Sequence, residues 1–184
     1  ADSNGVGGLI GLVSTETFVF NVAVIDTFVE NVAQKNVGGF VGRVDGGELI
    51  ADDIFISNVY VKSTNTGSSD VAASAFVGYV RDSSASVVSA IRVVVLGTTV
   101  EGNAGGAFIG YNRYPGTADL MDAYFEVTFI GSRTDLIGYN RDQVDILDQS
   151  SIFGSFTDAT THSQVLDLEN TAVPTDNTWW ETNL

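Results

Sequence analysis

A tetrapeptide of two large apolar residues closed by glycine recurs five times along this chain. The copies are Gly8-Leu9-Ile10-Gly11, Gly39-Phe40-Val41-Gly42, Ala75-Phe76-Val77-Gly78, Ala107-Phe108-Ile109-Gly110 and Asp135-Leu136-Ile137-Gly138. Their closing glycines, Gly11, Gly42, Gly78, Gly110 and Gly138, are 31, 36, 32 and 28 residues apart. A short polar residue follows each of them by 10 to 12 places: Asn21, Asp52, Ser89, Asp122 and Asp148. Two places before each of these lies an apolar residue: Val19, Ile50, Val87, Leu120 and Ile146. After the glycine the last three copies read Tyr79-Val80-Arg81, Tyr111-Asn112-Arg113 and Tyr139-Asn140-Arg141, and the first two diverge. Aligned columns at a fixed period are the mark of a repeat architecture.

The segments between the glycines are short and rich in β-branched residues, as in 19–25, 54–61 and 87–96, and are bounded by Gly, Asn, Asp or Ser. With 20 Gly and 2 Pro in 184 residues, the chain reads as strands separated by glycine turns. No segment sustains a helical apolar spacing. A unit of about 30 residues with two or three short strands cannot bury its own apolar face, so the copies must stack and share one core. The expected fold is all-β: a parallel β-solenoid of about five such repeats over residues 1–162, with a β-sandwich or jelly roll as the alternative. The glycines would allow close backbone approach between coils. Phe40, Phe76 and Phe108 would superpose inside, between Leu9 and Leu136 at the ends. Residues 163–184, which include Pro174, Trp179 and Trp180, break the repeat and are expected to form a cap or docking tail, with the two tryptophans available for assembly.

The chain carries 8 Lys+Arg against 23 Asp+Glu, a formal charge of −15. That field repels a nucleic-acid backbone and an anionic membrane face. Hydrophobic residues make up 44%, so the acidity sits on a folded core and not on a disordered tail. No apolar run approaches the roughly 18 residues that insertion into a bilayer requires. Cysteine is absent, which removes disulfides and thiolate chemistry and leaves the redox compartment open. The chain opens on Ala1 with no basic and apolar leader, as expected of a mature or excised segment.

At its tetrapeptides the sequence resembles the GLUG-repeat family, whose Gly-Leu-apolar-Gly signature occurs in tandem in bacterial surface proteins, adhesins and non-catalytic parts of secreted peptidases. The resemblance spans roughly residues 5–160, and the Trp179-Trp180-Glu181-Thr182 ending is similar to the stretch that closes such arrays. Only Gly8-Leu9-Ile10-Gly11 matches the signature in full; three copies carry Phe for Leu, and Ala75, Ala107 and Asp135 replace the first glycine. The resemblance implies an extracellular, surface-displayed structural or adhesive role and supplies no catalytic residue.

The residues themselves offer few sites. His162 is the single histidine and has no nucleophile motif beside it, so no catalytic residue is assigned. Asp122 and Asp148, stacked in one column at about 4.8 Å, would repel by on the order of 3 kcal/mol at an effective dielectric near 20. Water, an arginine or a bound Ca²⁺ would relieve this; Ca²⁺ at Asp122 and Asp148 is the only cofactor considered, the other reading being solvated corner residues. Tyr79, Tyr111 and Tyr139 with Arg81, Arg113 and Arg141 are either a ligand strip for sugar rings or an acidic partner, or a packed cross-strand column. The leading expectation is a non-catalytic extracellular structural protein that associates with copies of itself into a fibre, tube or array, or forms part of a surface adhesin. The alternatives are a module binding surface polysaccharide and a β-helix enzyme acting on polysaccharide.

Overall fold

The computed structural model describes residues 5–32, 36–64, 72–81, 86–113, 117–131, 134–140, 152–158 and 164–167. These residues form an all-β, parallel β-solenoid of about four turns, and no helix occurs among them. Coil 1 holds β1 (Val6–Gly7), β2 (Ile10–Val13), β3 (Thr17–Ile25) and β4 (Phe28–Asn31). Coil 2 repeats this plan with β5 (Asn36–Gly38), β6 (Val41–Val44), β7 (Glu48–Ser57) and β8 (Tyr60–Ser63). Coil 3 has β9 (Ala72–Ser74), β10 (Val77–Val80) and β11 (Val87–Glu101), and coil 4 has β12 (Ala104–Asn112) and β13 (Thr117–Ile130). The chain ends in β14 (Thr134–Asn140), β15 (Ile152–Asp158) and β16 (Gln164–Asp167).

Stacking follows the tetrapeptides. Ile10, Val41, Val77, Ile109 and Ile137 lie in register across β2, β6, β10, β12 and β14, all parallel. The second sheet runs β3, β7, β11, β13, β15 and is also parallel; β16 alone pairs antiparallel, with β15. A β-sandwich or jelly roll, built on antiparallel strands, is thereby set aside.

The core is a file of rings. Phe40 and Phe76 stack with centroids 4.9 Å apart, and Phe76 and Phe108 at 5.4 Å, all three fully buried. Leu136 continues the file and is buried, whereas Leu9, at the outer end on coil 1, is 45% exposed. The closing glycine has a mechanical reason. A Cβ on Gly42 would meet the Val6 nitrogen of coil 1 at 2.5 Å, and one on Gly78 the Val37 carbonyl carbon of coil 2 at 2.6 Å. Both neighbours are backbone, so the tetrapeptide can lie against the preceding coil only without a side chain there.

The long strands bend where the backbone turns left-handed, at Asn21, Asp53, Arg92 and Asp122, with φ between 51° and 56°. Register places these four in one file, one per coil. Asn and Asp tolerate this conformation; arginine at Arg92 is unusual there. The sequence columns had paired Asn21 with Asp52, Ser89, Asp122 and Asp148, which needs correction. Asp52 lies opposite Phe20 and Ile91, and Ser89 opposite Ile50 and Asp119. Counted from the closing glycine, the bend comes after 10, 11, 14 and 12 residues, because the connection between β10 and β11 is longer than its counterparts. Asp148 lies outside the described residues.

Candidate functional site

The tyrosines that follow the closing glycines form one file. Leu12, Arg43, Tyr79, Tyr111 and Tyr139 occupy successive rungs. Tyr79 and Tyr111 stack at 5.2 Å, Tyr111 and Tyr139 meet at 4.9 Å, and the Arg43 guanidinium lies 5.6 Å from the Tyr79 ring centre. Tyr79 and Tyr111 are only 6% and 3% exposed and pack with Ala72 in a second small apolar cluster. The file is therefore cross-strand packing capped by a cation, with no open aromatic platform at its centre.

The neighbouring file contains Asp45, Arg81 and Arg113, whose backbone N–H groups donate to Val13, Val44 and Val80 of the coil before. Asp45 Oδ2 accepts from Arg43 Nη2 at 2.5 Å and from Arg81 Nη1 at 3.3 Å, tying coil 2 to coil 3. Arg141 lies outside the described residues.

At the bend file an arginine faces the acids of the coil before it. Arg92 Nη2 pairs with Asp52 Oδ2 at 2.5 Å, and its Nε pairs with Asp53 Oδ1. The hydrogen bond to Asp53 is the main cause of a raised Arg92 pKa, with Asp52 adding to it. Asp122 stands on the opposite side of Arg92 in the file, so positive and negative rungs alternate. Among the described residues no three His, Asp or Glu side chains converge as a metal site would need. Asp148, the other half of the calcium reading, is not described.

A third tie joins the same two coils. Tyr60 Oη donates to Glu101 Oε2 at 2.5 Å, and Lys62 Nζ reaches Glu101 Oε1 at 3.0 Å. The Tyr60 hydrogen bond holds the Glu101 carboxyl below its ordinary range, and the same bond raises Tyr60. All three ties lie between coil 2 and coil 3 and fix their register.

The outer edge of coil 1 is a feature of a different kind. Among the described residues β1 to β4 are paired on one side only, by β5, β6, β7 and β8. Leu9, Leu12, Phe18, Phe20, Ile25, Phe28 and Val32 on this coil are all exposed, from 37% for Leu12 to 70% for Val32. Their file mates are mostly polar or smaller: Phe20 stands where coil 2 has Asp52, Ile25 where it has Ser57, and Phe28 above Tyr60, Thr99 and Thr128. Sequence columns could have revealed this rim once the register of β3 was known. It is an apolar strand edge, the kind that recruits another polypeptide.

Comparison of the chain with protein-family models, with curated proteins and with solved structures finds no match. His162, Trp179 and Trp180 lie outside the described residues. Of the residues expected to matter, the structure brings the glycines, the phenylalanines and the tyrosines into files, as packing elements. It also joins Arg81 to Asp45 across coils.

Proposed function

We propose that this chain is a non-catalytic, extracellular structural protein that assembles with copies of itself into a fibre, tube or array, or forms one section of a cell-surface adhesin. The observation that carries the reading is the coil 1 edge, where, among the described residues, four strands paired on one side only coincide with most of the exposed large apolar side chains. Such an edge aggregates unless covered, and a rung of the same solenoid has the matching strand spacing. A formal charge of −15 keeps copies apart at low ionic strength and lets them approach where salt screens it.

A sugar-binding strip has less support, because Tyr79 and Tyr111 are closed off by their neighbours. Polysaccharide cleavage, which would need Asp122 or Asp148 near a cation, has less still: among the described residues no three acidic side chains converge, and Asp148 lies outside them. Negative-stain electron microscopy of the purified chain across a salt series, with and without a chelator, tests the proposal. Ordered polymers support it, and monodisperse single particles at high concentration under every condition refute it.

A further inference from the structure

The two ends of the solenoid match in the first sheet and are mismatched in the second. In the first sheet β14 has no strand beyond it among the described residues, and β1 and β2 have none before them. If a second copy stacks its coil 1 on β14 in the register used throughout the molecule, Leu9, Ile10 and Leu12 fall on Leu136, Ile137 and Tyr139. Each pairing continues a file already present: the core file, the strand file and the tyrosine file. Gly11 fits the same scheme. Every later closing glycine lies against the backbone of the coil before it, whereas a Cβ on Gly11 would meet nothing nearer than Gly5 O at 3.2 Å. A preceding coil of a second copy would bring the Thr134–Asp135 backbone to that place.

In the second sheet the place of a following β3 is taken. β16 lies on the outer edge of β15 and runs antiparallel, with Ser155 opposite Asp167 and Phe156 opposite Leu166. A parallel rung from another copy cannot pair with β15 while β16 stays. Resting on the self-assembly reading above, we propose that β16 is a stop strand: copies stack head to tail through coil 1 and β14, and growth requires β16 to leave β15. The strand is suited to release, being four residues long and outermost in its sheet among the described residues.

The test uses the full chain, which has no cysteine of its own. Ser155→Cys with Asp167→Cys places a disulfide between facing residues and locks β16 down when oxidised. Leu166→Pro, opposite Phe156, disrupts the pairing of β16 with β15 and frees it. The oxidised lock should remain unpolymerised and recover on reduction. The proline variant should polymerise about tenfold faster than the parent or more, since the competent fraction sets the apparent association. Equal assembly in locked, reduced and proline forms would overturn the stop strand and leave self-assembly standing. No polymer from any form, with circular dichroism showing folded β structure, would overturn both.

Discussion

Arg92 of coil 3 holds Asp53 of coil 2 from a left-handed backbone conformation, φ 53°, that arginine seldom adopts. The same side chain reaches Asp52, so one cation offsets two carboxylates at the bend of the second sheet. The charge lies between Asp53 and Asp122 in the bend file, and with the Asp45 and Glu101 ties it joins coil 2 to coil 3.

Arg92→Ala should therefore destabilise the fold by about 1 kcal/mol. Its side chain is 35% exposed, so solvent screening discounts the pair heavily. Part of the loss should return at about 1 M salt, where the screening length falls to roughly 3 Å and the exposed carboxylates no longer repel. Urea unfolding at low and high salt measures both.

The closing glycines separate space from strain. Gly78→Ala drives a Cβ into the Val37 backbone and should cost about 3 kcal/mol or more, as overpacking does when the neighbour cannot yield. Gly97→Ala, at φ 52° with nothing within 4 Å, should cost only the backbone penalty of about 1 kcal/mol. Thermal unfolding of the two variants checks the ranking.

Glu101 and Tyr60 give the coil 2 to coil 3 contact a pH window. Glu101 titrates below its ordinary range in the folded chain, chiefly through the Tyr60 hydrogen bond. Its contribution is thus present above the ordinary carboxyl range and is lost as pH falls through the folded value. Tyr60 titrates above its ordinary range, again chiefly through that bond. Its contribution is full below the ordinary phenol range and is lost as pH rises through the folded value. Glu101→Gln should flatten both limbs and cost about 1 kcal/mol at neutral pH, the groups being partly exposed. Denaturant midpoints across pH read this directly.

Leu9 and Phe76 belong to one core file, yet they should respond differently. Phe76→Ala opens a cavity among fully buried rings and should cost about 3 to 5 kcal/mol. Leu9→Lys, at the open end, should cost under about 1 kcal/mol while suppressing polymer formation. Calorimetry and light scattering on the same samples separate the two effects.

Much of this architecture was legible in the sequence because the tetrapeptide fixes its own register. Gly42, Gly78 and Gly110 fall where coils touch, and Phe40, Phe76 and Phe108 follow them into the core. The bend file was misread at Asp52 and Ser89, since surface connections change length at little energetic cost and carry no periodicity of their own. Arg92 could not be anticipated at a left-handed position, where composition favours Asn, Asp or Gly. For Tyr79 and Tyr111 the sequence admits both a packed column and a ligand strip, because a strand pattern assigns a side chain to a face without saying what covers that face.

The most direct test is a nuclear Overhauser spectrum of the folded chain with labelled phenylalanine rings. The Phe76 ring should show cross-relaxation with both Phe40 and Phe108, at centroid separations of 4.9 and 5.4 Å, and Phe40 none with Phe108. Contacts from Phe76 to neither ring, in a chain that retains its β signature, would contradict the stacked coils and the function argued from them.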